Sequence, residues 1–293
     1  MDGIINFHKP KGMTSHDVVY YFRRLLNIKK IGHGGTLDPE VAGVLPICIG
    51  KGTRVAEYML EADKEYIGEL NLNYSTDTQD SYGNILLKST KKPSMEEISV
   101  VFSKFIGEIK QIPPMYSALK FQGKKLYELA REGKTIQREA RISRIYELDI
   151  ISIKDNSIIK FYVKCSKGTY IRTLCNDIAR DLGLYGHMSN LIRIGVGNFN
   201  IKDSISMDYL NNTNIDHIKN LFLPIDYPLY DFDEIIVKDD LYNGIINGLV
   251  TPINENLNLG SLFKVYCRSR FIGIGEIIQN KNGKFLKMKK VLI

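Results

Sequence analysis

The chain has 293 residues and a mass of 33.4 kDa, with 44% hydrophobic and 25% charged residues, which excludes a disordered or fibrous protein. No apolar run approaches the roughly 18 residues of a membrane span, and residues 1–10 lack a signal-peptide pattern, so we expect a cytoplasmic protein. The four cysteines form no C-x-x-C pair, which argues against a zinc knuckle or a disulfide framework. The net charge of +7 and the pI near 9.0 suggest an anionic partner.

Positive charge is concentrated in two segments. Residues 110–144 contain nine Lys or Arg against three Glu, and residues 261–293 contain eight against one Glu. Residues 201–260, between them, carry ten acidic residues against three Lys. Two separate basic surfaces favour a polyphosphate partner such as RNA, although Lys-rich segments are also common as ordinary solvated faces.

The N-terminal half mixes helical and strand patterns. Thr14-Ser15 followed by apolar residues at helical spacing predicts a capped helix that ends before Gly32. Ser94 and Glu97 form a capping box at the start of another helix. The remaining predicted elements of this half are a helix from Thr53 and a strand from Tyr66 to Tyr74.

The next segment predicts a hairpin and a helix. Residues 141–153 and 158–166 have strand patterns joined at Asp155-Asn156. Residues 170–182 predict a helix whose end is marked by Gly183. Helices interspersed with hairpin-linked strands predict an α+β fold around a mixed or antiparallel sheet.

A linker is predicted at residues 221–232, where Pro224 and Pro228 stand among acidic residues. It divides a large domain, residues 1–225, from a small domain, residues 226–293. Short strands with Gly turns make the small domain a β-barrel-like module. Its predicted elements are strands at 234–238, 262–268, 271–278 and 285–291 and a helix at 239–247.

The densest group of unusual residues is 31–54, IGHGGTLDPEVAGVLPICIGKGTR. Its glycines allow close backbone approach, and Pro39 stiffens the chain directly after Asp38. Such a loop can hold a carboxylate toward a cleft, or it can be a turn in which Asp38 only bonds the backbone. The G-x-x-x-x-G-K-[ST] phosphate loop is absent from this segment, so we reject nucleoside triphosphate binding.

Other polar residues leave alternatives open. The five histidines have no metal-ligand spacing, and His33 is either a backbone-bonded loop residue or a nucleic-acid contact. Residues 76–80, TDTQD, are either a side-chain-capped turn or part of a site. Arg172, in the first turn of the helix after Gly168, would keep a nearby carboxylate ionised or form an ordinary ion pair.

Together and in this order, these clusters resemble the TruB family of tRNA pseudouridine synthases. The resemblance includes HKPKGMTSHDVV at 8–19, GGTLDP and GVLP at 34–46, and QIPPMYSALK at 111–120, and it extends over residues 6–197. VYCRSRFIGIGEI at 265–277 looks like the PUA module that accompanies these enzymes. Residues 121–144 resemble the RNA-gripping insertion of stand-alone bacterial members.

The resemblance implies a role for individual residues. Asp38 corresponds to the catalytic aspartate, Tyr66 to the active-site tyrosine and Arg172 to the arginine paired with the aspartate. Lys9 also matches a motif that braces the catalytic loop. The residues implied to contact the substrate are His33, Asp80, Tyr170, Lys9 and Arg193.

The chain departs from the family pattern in two places. Where many relatives have a small Ala followed by Thr, this chain has Val41 and Ala42. This difference affects packing beside the loop. Arg193 is the one arginine kept where relatives often carry two, so RNA affinity could be weaker there.

The implied activity is isomerisation of uridine to pseudouridine in the T-loop of tRNA, at position 55 of the usual tRNA numbering, after base flipping. Asp38 would stabilise or trap the electron-poor C1′. We expect no cofactor, metal or guide RNA, contact with the T-arm, and a monomer. The alternatives are a guide-RNA-dependent synthase, a non-catalytic RNA-binding or chaperone protein, and a glycosidase that releases uracil.

Overall fold

The computed structural model describes residues 1–253, 257–281 and 283–293. Two sheets dominate it, and helices pack against them. The strands are β1 (Gly3–Lys9), β2 (Ile31–His33), β3 (Ala42–Ile49), β4 (Lys64–Asn71), β5 (Tyr74–Thr76), β6 (Ile85–Lys88), β7 (Gly107–Gln111), β8 (Lys120–Phe121), β9 (Lys124–Lys125), β10 (Arg141–Lys154), β11 (Ile158–Cys165), β12 (His187–Val196), β13 (Phe199–Asn200), β14 (Glu234–Ile236), β15 (Thr251–Pro252), β16 (Leu262–Cys267), β17 (Arg270–Asn280) and β18 (Gly283–Val291).

The helices contain fewer residues than the strands, and α8 packs against the C-terminal sheet. No helix in the described part of the chain is long and apolar enough to cross a membrane. The α-helices are α1 (Ser15–Leu26), α2 (Ala56–Glu61), α3 (Met95–Lys104), α4 (Leu126–Arg131), α5 (Ile171–Asp181), α6 (Met207–Asn211), α7 (Ile215–Lys219) and α8 (Tyr242–Ile246), with 3₁₀ turns at Gly50–Val55, Ile201–Asp203 and Asp239–Leu241.

The large sheet has the order β1-β3-β12-β4-β11-β10-β7, with β2 paired to β3 and β13 to β12. Its pairings are antiparallel except for β12 with β3, which is parallel. This register sets Arg193 opposite Gly43 on one side and opposite Tyr66 on the other. Gly43 has φ +114°, and a Cβ atom there would lie 2.1 Å from the Arg193 carbonyl oxygen, so the close strand pairing requires glycine.

The predicted α+β class with a mixed sheet is confirmed. Local signals account for two helix starts, because Thr14 and Asp17 form a capping box at α1, and Ser94 and Glu97 form one at α3. The alternating pattern from Tyr66 to Tyr74 does not form one strand. Asn71 ends β4 because its side chain accepts a hydrogen bond from the Asn73 N–H at 3.0 Å, which turns the chain before β5.

The helix predicted from Thr53 also differs in detail. The chain first forms the 3₁₀ turn Gly50–Val55 and then continues as α2. At the C-terminal end of α2, the Lys64 Nζ donates hydrogen bonds to three backbone carbonyls, those of Met59, Leu60 and Ala62. Lys64 therefore caps the carbonyls that a helix end leaves without partners.

The C-terminal sheet has the order β14-β16-β17-β18-β15. One apolar cluster joins it to the large sheet, since Val44 and Val196 of the large sheet pack in the same cluster as Ile274 and Leu292 of the small one. The predicted linker contributes Leu229 to this cluster and forms backbone hydrogen bonds to β1. It is a packed connector in this structure, while the domain boundary at 225/226 stays a prediction.

Candidate active site

Asp38 lies on the loop between β2 and β3, at the edge of a small cleft. Its side chain is 45% exposed, and its Oδ2 lies 3.0 Å from the Arg172 Nη2. Arg172 belongs to the first turn of α5 and is buried. The cleft is lined by Lys11, Asp38, Glu40, Val41, Asp80, Tyr82, Met188, Ser189, Asn190 and Leu191.

The Arg172 guanidinium connects three segments of the chain. Its Nη1 donates to the Thr78 carbonyl at 3.1 Å and lies 3.7 Å from the Asp80 Oδ2. Its Nη2 donates to the Tyr116 carbonyl at 2.7 Å as well as facing Asp38. A rigid fork of donors is suited to such multiple contacts. Arg172 therefore orients both carboxylates and places a fixed positive charge between them.

Lys9 braces the loop that carries Asp38. It is fully buried, and its Nζ donates to the carbonyls of Pro10, Met13 and Pro39 at 2.7–2.9 Å. Burial lowers the pKa of Lys9 to about 8. Because this value is still above neutral pH, the side chain remains mainly an ammonium with three donors for three carbonyls. The bracing role that the resemblance implies agrees with these contacts, and direct contact with substrate stays a prediction.

Arg193 forms a second brace. Only 1% of its surface is exposed, and its guanidinium donates to the carbonyls of Val44, Thr36 and Gly35 at 2.8–3.2 Å. Gly35 and Thr36 precede Asp38 on its loop, and Val44 follows it on β3. The sequence predicts that Arg193 contacts RNA, but the buried geometry supports a positioning role for it instead.

Tyr66 lies under the same loop. Burial raises its pKa to about 12, against the opposing effect of the neighbouring Arg193. The phenol is therefore protonated at neutral pH. Tyr66 is paired with Arg193 across β4 and β12 and belongs to the buried core, outside the residues that line the cleft, so its contact with the substrate stays a prediction.

Tyr170 and His33 lie near this network. The Tyr170 N–H donates to the Gln111 Oε1 at 3.0 Å, and the Gln111 Nε2 donates to the Tyr170 carbonyl at 3.1 Å, which positions the start of α5. The His33 Nδ1 accepts from the Gly35 N–H at 3.3 Å, and burial lowers the pKa of His33. His33 is outside the residues that line the cleft.

Sequence reasoning missed most of the cleft lining, including Glu40, Tyr82, Lys11 and Asn190. Glu40 and Tyr82 stand two positions after Asp38 and Asp80, and this proximity is the signal that could have identified them. Lys11 and Asn190 are joined by a hydrogen bond of 2.8 Å on the cleft wall. No local pattern connects residues 179 positions apart, so that pair was beyond sequence reasoning.

Comparison with known proteins identifies the family. Residues 23–171 match the model of the TruB family pseudouridylate synthase N-terminal domain, and residues 172–230 match that of the tRNA pseudouridylate synthase B C-terminal domain. A tRNA pseudouridine synthase B from Clostridium kluyveri is 46% identical over 301 residues, covering 100% of both chains. Another from Alkaliphilus oremlandii is 45% identical, covering 100% of this chain and 99% of the relative.

Solved structures agree with this result. A chain of a Cbf5-Nop10-Gar1 complex superposes with a TM-score of 0.77 at 27% identity, covering 99% of this chain and 85% of that chain. A chain of an archaeal box H/ACA sRNP Nop10-Cbf5 complex gives a TM-score of 0.73 at 26% identity, covering 99% and 86%. The predicted family is thus confirmed, and this chain belongs to the TruB family of pseudouridylate synthases.

Proposed function

We propose that this protein isomerises uridine to pseudouridine in tRNA, with Asp38 as the essential carboxylate and the T-loop uridine at position 55 as its target. The observation that carries the proposal is the Asp38–Arg172 pair. A carboxylate that is 45% exposed on a braced loop, 3.0 Å from a buried guanidinium, can reach a substrate while keeping its orientation.

The reaction needs such a carboxylate. The N1–C1′ bond breaks, the base turns, and C5 bonds to C1′, while the C5 hydrogen leaves as a proton and N1 gains one. The sugar becomes electron-poor at C1′ on the way, and a carboxylate can stabilise or trap that state. Substrate and product are isomers, so the balanced reaction consumes no redox equivalent. Arg172 holds Asp38 in position.

The target base must leave its stack to reach Asp38. Extrusion costs a few kcal/mol, which protein contacts elsewhere on the RNA can offset. Exposed cations of the insertion, residues 121–144, and of β18 supply two places for phosphate contacts. We assign catalysis to residues 1–225 and further RNA binding to the PUA-like residues 226–293. His33, Asp80 and Tyr170 are the proposed contacts to the extruded nucleotide.

We further propose that the protein acts without a guide RNA, as a cytoplasmic monomer. Full-length relatives named tRNA pseudouridine synthase B support guide independence. The structural likeness to chains from Cbf5 complexes keeps a guide-dependent synthase as the second candidate. Activity of the purified protein alone on tRNA would eliminate that candidate.

The test uses tRNA transcripts tritiated at uridine C5, incubated with purified protein in EDTA and without guide RNA. Wild type should release tritium from a single T-loop uridine, and Asp38→Asn should release none while it still binds tRNA and melts at an unchanged temperature. The Asn variant keeps the size of the side chain and removes the carboxylate charge. Release of free uracil would instead identify a glycosidase, and tRNA binding without tritium release would favour a chaperone or a guide-dependent enzyme.

A further inference from the structure

The mouth of the cleft carries an aromatic ring that the proposed chemistry does not use. Tyr82 lines the cleft together with Asp38 and Asp80, yet 64% of its surface is exposed. An aromatic side chain with so much exposed surface contributes little to the core. Beside a cleft for an extruded nucleotide, such a ring has the chemistry of a stacking platform, because every base presents a π-face.

Tyr82 is held at both ends. Its backbone N–H donates to the Asp80 Oδ1 at 3.0 Å, and Asp80 also accepts a hydrogen bond of 2.6 Å from the Thr78 hydroxyl. At the other end, the Tyr82 hydroxyl lies beside the Glu40 carboxylate on the lining of the same cleft, and partial desolvation together with this neighbouring carboxylate raises the pKa of Tyr82. The ring therefore has a defined position although it is exposed.

The two anchors belong to the two segments that also form the Asp38 site. Glu40 follows Asp38 by two residues on the catalytic loop, and Asp80 is 3.7 Å from the Arg172 guanidinium. The position of the ring is therefore coupled to the position of the catalytic carboxylate.

We propose that Tyr82 stacks on the base adjacent to the extruded uridine and that Glu40 is the positioning residue that fixes the Tyr82 ring. This inference rests on the proposed function. When the target uridine leaves the RNA stack, the neighbouring base loses a stacking partner. A pre-oriented ring at the cleft mouth replaces that partner, and a rigid side chain does so with little loss of conformational entropy.

The experiment uses a T-arm stem-loop with fluorescent 2-aminopurine beside the target uridine, and follows both fluorescence and pseudouridine formation. Tyr82→Leu should raise KM about tenfold, the effect of losing one base–aromatic stack, with kcat within about twofold, and it should abolish the protein-dependent quenching of 2-aminopurine. Tyr82→Phe keeps the ring but loses the hydroxyl that contacts Glu40, so it should weaken the quenching without abolishing it. Glu40→Ala, which frees the hydroxyl, should weaken the quenching, and Glu40→Gln, which keeps an acceptor, should restore it.

Tyr20→Leu is the matched control, because Tyr20 is 60% exposed on α1 outside the cleft, and it should leave both signals unchanged. Quenching by Tyr82→Leu equal to that of wild type, in preparations where wild type is active, would overturn the inference and leave the proposed function intact. An increase in kcat/KM for Tyr82→Phe would mean that the Glu40–Tyr82 contact hinders entry of the substrate, and this result would also contradict the inference. Wild type that forms no pseudouridine would remove the proposed function and this inference together.

Discussion

Lysine and arginine have different roles in two regions of this molecule. Around the catalytic loop, Lys9, Arg172 and Arg193 are buried, and their donors contact backbone carbonyls. In the insertion, residues 121–144, most cations are exposed, and Lys124 and Lys134 share only Glu132 at the surface. Burial decides between the two roles, because a buried cation must be paired or hydrogen-bonded, whereas an exposed one stays available to phosphate.

The two regions meet at Arg172. Its donation to the Tyr116 carbonyl fixes the chain just before the insertion, while the exposed part of the insertion lies beyond that contact. Changes in the first region should therefore act on kcat and stability, with little dependence on salt. Substitutions in the second region should raise KM, and the size of this effect should depend on the salt concentration.

The largest effect is expected for Arg172→Lys. Lysine keeps the charge but cannot face Asp38 and donate to the carbonyls of Thr78 and Tyr116 together. We expect kcat to fall about a hundredfold, by analogy with the loss of one preorganised donor, with a similar salt dependence to wild type. Single-turnover assays measure this, with Arg180→Lys as the control, since Arg180 is exposed on the same helix. An unchanged kcat would make Arg172 an ordinary ion pair.

Arg193→Met should mainly reduce stability. The substitution leaves the carbonyls of Val44, Gly35 and Thr36 without this donor, and each unsatisfied buried group is unfavourable. We expect the free energy of unfolding to fall by about 2 kcal/mol, and activity to fall because the loop loosens. Denaturant unfolding measures the change, and Arg24→Met, at an exposed position of α1, provides the control. A stable variant that binds tRNA more weakly would instead support the predicted RNA contact.

Lys124→Ala combined with Lys134→Ala tests the exposed region. We expect KM to rise about tenfold and kcat to stay constant, and the slope of log K against log salt to become shallower by about 1.5, since each phosphate contact contributes roughly 0.7–0.9. Titration of tRNA binding between low and moderate salt measures both effects. Lys91→Ala, at an exposed lysine outside the insertion, should leave the slope unchanged, and an equal slope in the double variant would exclude these contacts.

The smallest effect concerns Lys64, whose pKa burial lowers to about 8. The unfolded chain keeps the ordinary pKa near 10.5, so between pH 8 and 10.5 the unfolded state binds more protons than the folded state. The contribution of Lys64 to the free energy of unfolding therefore rises with pH in that window and is lost as pH falls through 8. From pH 8.5 to 9.5, wild type should gain about 1 kcal/mol relative to Lys64→Met. A constant difference between the two proteins would contradict the lowered pKa.

Local interactions made part of the fold predictable. The capping pairs Thr14–Asp17 and Ser94–Glu97 lie three residues apart, so the sequence contains both partners of each interaction. The turn at Asp155-Asn156 is likewise local, and both residues have positive φ values, which these residue types tolerate. The family resemblance added Asp38 and Arg172 as partners, although 134 positions separate them.

The sequence by itself determined the two capped helix starts, the hairpin, the mixed α+β class and the family, because these depend on neighbouring residues or on characteristic motifs. Only the tertiary structure decided that Arg193 is a buried brace, that the linker packs on β1, and that Glu40 reaches Tyr82 across the cleft. Strand register brings these residues together from distant positions, and the burial that results determines whether a charged side chain holds the protein or meets its ligand.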